Sequence, residues 1–162
     1  MPSHPLALHD LFSANRICTD IESIDKPSLF AELVDLIAET SSGTFDRVSA
    51  LACLMEREAL MSTGIRKGIA VPHGKSTSFS RMYGAIGVSK RGVAYDALDG
   101  APVHVAFMIV SPKLHSETHL KTLKLLARLL DIPGFVDAIL VAKDSVEAHR
   151  CIVDFEERLG SA

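Results

Sequence analysis

The sequence lacks any apolar run long enough to cross a membrane. Its longest runs, such as Val105 to Val110, fall far short of the roughly 18 residues that a membrane helix needs. The N-terminus also has no positively charged start followed by an apolar core, which is the pattern of a secretory signal. No membrane insertion is therefore expected.

An excess of charge of one sign is also missing. The 17 lysine and arginine residues and the 20 acidic residues interleave along the whole chain, and the formal net charge is -3. Because no long basic stripe could follow a phosphate backbone, nucleic-acid binding is not expected.

Cysteine is scarce, and its placement excludes a disulfide framework. Cys18, Cys53 and Cys151 are odd in number, widely spaced and set among apolar residues. This pattern is typical of buried free thiols in a reducing compartment. We therefore expect a cytoplasmic protein.

The remaining composition is that of one soluble globular domain, with 162 residues, 48% hydrophobic and 23% charged. No repeat, low-complexity segment or linker divides the chain, so residues 1–162 are expected to form a single domain. Apolar residues at helical spacing follow Pro27 and then Asp46, a plausible N-cap. The helical spacing returns with Ser116 as a possible N-cap, and strands are expected between, at 68–72, 83–88 and 103–110. Two more helices are expected, at 135–141 and from 144 or 145 to 159. Helices first, strands in the middle and helices last predict an α/β fold.

The most informative segment is Val71-Pro72-His73-Gly74-Lys75, where a predicted strand ends. A histidine on a loop just past a strand end can be both held and exposed. Pro72 stiffens the approach, and Gly74, which has no Cβ, would let a tetrahedral group or a partner's backbone come close. A neutral imidazole is a good nucleophile near neutral pH and can form a covalent intermediate. His73 is therefore a candidate nucleophile.

A second group of candidates lies just before this segment. Arg57 ends a predicted helix, and its planar guanidinium suits the oxygens of a phosphoryl group. Ser62, Thr63 and the backbone amides around Gly64 could add a neutral cradle for the same group. Arg57 fits a solvated helix residue paired with a nearby acid equally well, and the serine and threonine taken singly fit ordinary loop capping.

His119 is the third candidate, early in the helix that follows the strands. Near a helix N-terminus, the pKa of a histidine should be lowered, so its ring stays mainly neutral and can donate one hydrogen bond. Two readings compete with this one. His119 could be a surface histidine, or it could share a metal with His115, which lies four residues before it. No cysteine or carboxylate pair completes a zinc pattern, so no metal is expected.

Taken together, several blocks of the sequence resemble a known family. They are Arg57-Glu58 with Ser62-Thr63-Gly64-Ile65, then Gly68 to Lys75, then Gly92 to Val103, and finally Glu117-Thr118-His119-Leu120 with the leucine-rich helix that follows. Over a core of about residues 6–156, the chain resembles the IIA domain of the fructose–mannitol class (type 2) of the bacterial phosphotransferase system. Within that class it is most similar to the stand-alone branch called nitrogen regulatory IIA.

The resemblance implies a fold, a site and a set of partners. The fold would be a mixed parallel and antiparallel sheet of about five strands, with helices on both sides. His73 would carry a phosphoryl group, and His119 and Arg57 would complete the active site, without a metal or an organic cofactor. The donor would resemble the phosphocarrier HPr, and the acceptor would be a IIB protein or a regulatory target.

Two alternatives for the function stay open. In one, the chain passes its phosphoryl group on to a sugar-specific IIB protein. In the other, it is a regulatory binding module whose unphosphorylated form binds targets, and the charge added to His73 changes which partner can dock.

Two segments depart from the pattern of the family. Arg66-Lys67 follow Gly64-Ile65 where many relatives have small residues, and segment 111–115 is more basic and contains a histidine. Such cations beside the site could attract an acidic partner or phosphate, or could form a solvated loop. Both departures therefore bear on partner choice more than on chemistry.

Overall fold

The structure is a computed structural model, which describes residues 6–161. Within that range six α-helices occur: α1 (Leu8–Leu11), α2 (Lys26–Thr40), α3 (Arg47–Leu60), α4 (Ser116–Leu130), α5 (Phe135–Val141) and α6 (Ser145–Ser161). The six strands of the same range are β1 (Ile17–Cys18), β2 (Gly64–Arg66), β3 (Ile69–Ala70), β4 (His73–Ser76), β5 (Tyr83–Val93) and β6 (Val103–Pro112). None of the helices in this range is both long and apolar enough to cross a bilayer.

The strands form one mixed sheet, which confirms the predicted α/β class. Its order is β1-β5-β6-β3-β2, and β4 also pairs with β6. The β5–β6 and β2–β3 pairs are antiparallel, whereas β1 pairs with β5, and β3 and β4 pair with β6, in parallel. The sheet has six strands where about five were expected, because β3 and β4 are two short strands that follow one another along the same edge of β6.

Helices cover both faces of the sheet, as expected, and β6 shows why. Side chains alternate between the faces of a strand, and the whole of β6 lies between two apolar layers. Val105, Phe107 and Ile109 pack in the core with residues of α1, α4, α5 and α6. Ala106, Met108 and Val110 pack in the opposite core with α2 and α3. The continuous apolar run of this strand is therefore that of a strand buried on both faces.

The predicted helix starts are confirmed except at α4. Asp25 and Asp46 precede α2 and α3, and the carboxylate of Asp46 accepts the backbone N–H of Ser49 at 2.9 Å, which is ordinary N-capping. The prediction that Ser116 is the N-cap of α4 is wrong by one residue. Ser116 is already the first helical residue, and its hydroxyl donates to the carbonyl of Lys113 at 2.8 Å.

The predicted strand 68–72 is shorter than expected and does not end the pairing. Only Ile69 and Ala70 form a strand there, since Pro72 cannot donate to a ladder. Pairing with β6 resumes at once, with His73 opposite Ile109. The expectation that His73 lies on a loop past a strand end is therefore wrong, because His73 is the first residue of β4.

Candidate functional site

His73 and His119 both face one cleft, which has a volume of about 310 Å³. α3 forms one wall, β4 forms the floor, and the β6–α4 connection and the start of α4 close the other side. The residues that line it are Cys53, Glu56, Arg57, Leu60, His73, Gly74, Lys75, Lys113, His119 and Leu123. The structure thus brings together the three side chains that were predicted to carry the chemistry.

The imidazole of His73 is half-buried, and among the described residues one hydrogen bond holds it. Its Nδ1 lies 2.7 Å from the carbonyl oxygen of Val71. Because a carbonyl oxygen only accepts, Nδ1 carries the ring proton and donates it. Nε2 is then left with its lone pair in the neutral ring. Burial lowers the pKa of His73 below its ordinary 6.5, the hydrogen bond to Val71 raises it, and the charge of Arg57 lowers it again. The net shift is downward, so the ring is neutral near pH 7.

His119 lies beside His73 and is far more buried, with 4% of its surface exposed. The two ring centroids are 5.6 Å apart, and the rings are tilted by 46°. Burial, and after it the neighbouring His73 and Lys75, together lower the pKa of His119 from its ordinary 6.5 to about 4. The expected neutral ring is therefore present. Its main cause is burial rather than the helix N-terminus on which the expectation rested.

His119 is expected to stay neutral in mildly acid solution, which makes the stability of the fold depend on pH. Unfolded histidine takes up a proton near the ordinary pKa of 6.5, whereas His119 in the folded chain does so only at about 4. The unfolded chain therefore binds more protons in this window, and the free energy of unfolding should fall as the pH drops from 6.5 to 4. Urea unfolding measured across this range checks the trend. His119→Gln should flatten it, and an NMR titration of His119 near 6.5 would contradict it.

Gly74 is required for the packing of β4 against α3. A Cβ at this position would lie 2.7 Å from the sulfur and 2.8 Å from the carbonyl oxygen of Cys53. Strand β4 therefore lies directly against the backbone of α3, which brings His73 up to the helix that carries Arg57. The sequence had suggested that a partner's backbone could come close at Gly74. In the structure, the backbone of α3 in this chain comes close there.

Arg57 occupies the last turn of α3 at the edge of the cleft. One guanidinium nitrogen, Nη1, donates to the carbonyl of Met61 at 2.9 Å, which fixes the side chain across the end of the helix. A guanidinium has five N–H donors, so further donors stay available for an anion. Lys75 and Lys113 add two exposed cations to the lining, against one carboxylate from Glu56.

Residues 10–154 match the protein family described as "Phosphoenolpyruvate-dependent sugar phosphotransferase system, EIIA 2". The chain belongs to this family. The resemblance found in the motifs of the sequence is thereby confirmed, and the chain is a component of the phosphotransferase system.

Relatives of this EIIA 2 chain include fructose-specific components and nitrogen regulatory proteins. One is a fructose-specific EIIABC component of Bacillus subtilis (strain 168), 36% identical over 77% of this chain but over only 20% of its own length. Another is a nitrogen regulatory protein of Pseudomonas aeruginosa, 28% identical over 93% of this chain and 97% of its own. The crystal structure of nitrogen regulatory protein IIA-Ntr from Neisseria meningitidis is 27% identical, with a TM-score of 0.80 over 90% of this chain and 98% of that one.

Ser62, Thr63 and Gly64 do not line the cleft of this EIIA 2 chain, although they were predicted to bind phosphate. Thr63 is buried, and its hydroxyl donates to a carboxylate oxygen of Glu58 at 2.5 Å and lies 2.7 Å from the hydroxyl of Tyr95. Ser62 accepts the N–H of Gly64 at 3.1 Å. These groups are occupied with one another, because the segment must turn from α3 into β2.

The backbone of Thr63 is nevertheless connected to His73 by hydrogen bonds through Val71. Its carbonyl oxygen accepts the N–H of Val71 at 2.9 Å, and the carbonyl of Val71 in turn holds His73. Along this chain of hydrogen bonds, Thr63 is two bonds from the ring of His73 and Glu58 is three. Their contribution is the position of the backbone before His73.

The two basic departures lie in different places. Arg66 forms an ion pair with Asp131, and both line a separate depression together with Lys67, so the expectation that these cations stand beside the site is wrong. Lys113 does reach the cleft. His115 lies before α4 and lines another depression, so it does not share a helical face with His119. Within the described part of the chain, no three His, Cys, Asp or Glu side chains are grouped as metal ligands.

Three contributors to the site were missed in the sequence. Lys75 was quoted in the motif, but its place in the lining follows from strand alternation in β4, which had been taken for a loop. Lys113 had a signal in the basic segment 111–115. Ser111 had none, because only the fold shows that its hydroxyl reaches His119.

Proposed function

We propose that this chain is a phosphocarrier that works as a protein-histidine phosphotransferase component in the cytoplasm. His73 accepts a phosphoryl group from an HPr-like phosphocarrier donor and passes it to a IIB protein or presents it as a regulatory signal. The observation that supports this most directly is the hydrogen bond from Nδ1 of His73 to the carbonyl of Val71. It leaves Nε2 as the nucleophile, beside the cations of the cleft.

The transfer step uses the lone pair of Nε2. As Nε2 bonds to phosphorus, the bond between phosphorus and the leaving atom of the donor breaks, and the donor keeps that electron pair. The ring of His73 becomes positive in the product. The hydrogen bond from Nδ1–H to the carbonyl of Val71 then strengthens, because the imidazole ring that donates it is now cationic. No metal or organic cofactor is needed to transfer the phosphoryl group from a nitrogen or oxygen atom of the donor to Nε2 of His73.

The phosphoryl oxygens need positive groups around them throughout the transfer. Arg57, Lys75 and Lys113 line the cleft and supply three positive charges, while Glu56 supplies one negative charge. Fixed cations that face the oxygens of a transferring phosphoryl group stabilise the charge of the transition state. His119, neutral and next to His73, can donate one further hydrogen bond.

The rim of the cleft suits protein partners. Leu60 is 80% exposed, and Leu114 and Leu120, each next in sequence to a lining residue, are 92% and 52% exposed. Grouped exposed apolar side chains mark protein interaction sites. A donor and an acceptor that dock here in turn would each cover the cleft and exclude water from the reacting phosphoryl group.

The regulatory version of this function has its own support. The similarity to the nitrogen regulatory protein of Pseudomonas aeruginosa extends over 93% of this chain and 97% of that relative. In a regulatory role, the charge of a phosphoryl group on His73 would prevent the target from docking. The unphosphorylated form would then be the form that binds the target.

The proposed function is tested by incubating the chain with phosphoenolpyruvate and the two general phosphotransferase proteins, and then measuring its intact mass. We expect one added phosphate that is lost in acid, as phosphate on a nitrogen is, and ³¹P–¹⁵N correlation should place it on Nε2. A chain that takes up no phosphate would end the proposal. Onward transfer to a IIB protein would favour the carrier role, and its absence would favour the regulatory one.

A further inference from the structure

The hydroxyl of Ser111 is a fully buried polar group next to the cleft. Ser111 is the last residue but one of β6 and is 0% exposed. Its Oγ forms a hydrogen bond with Nδ1 of His119, across the short turn between β6 and α4. No other hydrogen bond of this hydroxyl occurs within the described residues. The second histidine of the cleft is thus held from behind by one serine.

The direction of this hydrogen bond follows from what each group can do. A serine hydroxyl has one hydrogen to donate and lone pairs to accept, and neutral imidazole has one N–H and one lone pair. If Nδ1–H of His119 donated to Ser111, the hydroxyl hydrogen would be buried without an acceptor, which is a costly arrangement. If Ser111 donates instead, every buried hydrogen has a partner. The proton of the neutral ring then lies on Nε2.

We propose that Ser111 is a positioning residue that holds His119 in the tautomer with its proton on Nε2, so that this ring donates a hydrogen bond to the phosphoryl group on His73. The inference rests on the proposed function. With the opposite tautomer, His119 would turn a lone pair towards anionic oxygens and repel them.

The same strand holds both rings in register. β6 pairs with β4 so that Ile109 lies opposite His73 and Ser111 lies opposite Lys75. One short length of β6 therefore fixes the position of β4, which carries His73. Through the hydroxyl of Ser111 it also orients the ring of His119, whose centroid lies 5.6 Å from that of His73. Ser111 acts on the reaction only through His119.

The tautomer can be read directly in the unphosphorylated protein. Long-range ¹H–¹⁵N correlation of ¹⁵N-histidine-labelled protein distinguishes a protonated Nε2 from a protonated Nδ1. We expect wild-type His119 to be protonated on Nε2, and Ser111→Ala to show a mixture of tautomers. The matched control is Ser89→Ala, which removes another buried strand hydroxyl, one that accepts the N–H of Gly92 at 3.0 Å. A wild-type ring protonated on Nδ1 would overturn the inference.

The second readout is the rate of phosphorylation by the HPr-like donor. Ser111→Ala should slow it about tenfold, as removal of an orienting partner does at other sites, while Ser89→Ala should leave it unchanged. Ser111→Thr keeps a hydroxyl and should restore both the tautomer and most of the rate. In a His119→Gln background Ser111→Ala should add almost nothing, because the two residues act as one unit.

The failure of this inference and that of the proposed function look different. If wild type takes up phosphate and Ser111→Ala does so equally fast, Ser111 has no positioning role, whatever its tautomer signal. If wild type takes up no phosphate, the proposed function fails and the role of Ser111 with it. If Ser111→Ala does not fold, the wild-type tautomer and the comparison of Ser111→Thr with wild type still decide the question.

Discussion

Replacing His73 with alanine is expected to abolish phosphorylation of the chain, while the fold persists. The other neutral sulfur or nitrogen nucleophile candidates in the lining are Cys53 and His119, and burial raises the pKa of the Cys53 thiol to about 11, which makes it a poor nucleophile at pH 7. His119 is the nearest candidate, and its only free nitrogen carries a proton in the tautomer inferred above. Intact mass after incubation with the donor system should therefore show no added phosphate.

The chain offers a matched control for this variant in His104. Both His73 and His104 are half-buried and lie in strands of the sheet, His73 in β4 and His104 in β6. The Nδ1 of His104 also lies close to a backbone carbonyl oxygen, that of Ser89, at 2.8 Å. His104→Ala therefore removes the same kind of hydrogen bond outside the cleft. Each variant should lower the free energy of unfolding by about 1 kcal/mol, the usual net value of one hydrogen bond. Only His73→Ala should lose the phosphate, and a phosphorylated His73→Ala would refute the assignment of the carrier residue.

The two histidines and the arginine of the cleft could be predicted because their signals are local or belong to a family pattern. His73 lies in a compact motif, and Arg57 and His119 match the corresponding blocks. Helix starts with a side-chain cap, such as Asp46, are local as well, since the cap and the amide it binds lie three residues apart. Such features depend little on the rest of the fold.

The features that could not be predicted depend on partners that are distant in sequence. Thr63 was expected to face phosphate, but Tyr95, 32 residues later, and Glu58 bind its hydroxyl instead. Arg66 was expected beside the site, but its partner Asp131 lies 65 residues away at the far end of α4. A side chain's direction is decided by such contacts, and a motif specifies only that the side chain is present.

The strand that carries His73 shows the same limit. Pro72 correctly predicts an interruption, because proline cannot donate to a ladder. Whether pairing resumes after it depends on β6, more than 30 residues later, which offers Ile109 as the partner of His73. The half-buried state of the ring, and with it the lowered pKa, follows from that pairing and from the close approach of α3 at Gly74.

Replacing Glu58 with alanine is expected to be the most destabilising change to a charged side chain near the site. Glu58 is 7% exposed, and its carboxylate accepts from Lys26 Nζ at 3.0 Å, from the backbone N–H of Thr63 at 3.0 Å and from the hydroxyl of Thr63 at 2.5 Å. Lys26 also lies 4.7 Å from the centre of the Tyr95 ring. The variant would leave a largely buried ammonium group and a buried amide without their acceptor.

Loss of one partner of a buried ion pair typically costs about 3–5 kcal/mol, and we expect Glu58→Ala to lower the free energy of unfolding by that amount. Urea unfolding measures it, with Glu56→Ala as the control. Glu56 lies on the same helix but is exposed, so its loss should change stability by about 0.5 kcal/mol or less. Similar values for the two variants would contradict the structural role of Glu58.

Glu58→Ala should also affect the orientation of the His73 ring. The carboxylate of Glu58 holds Thr63, the carbonyl of Thr63 accepts from Val71, and the carbonyl of Val71 accepts from Nδ1 of His73. Once the first of these bonds is lost, the last is free to loosen, and the ring is no longer fixed with its lone pair on Nε2. Glu58→Ala should therefore slow phosphorylation even at temperatures where it is fully folded, whereas Glu58→Gln, which keeps an acceptor for Thr63, should retain more of the rate. Equal phosphorylation rates in Glu58→Ala and Glu58→Gln would show that this network stabilises the fold without orienting the ring of His73.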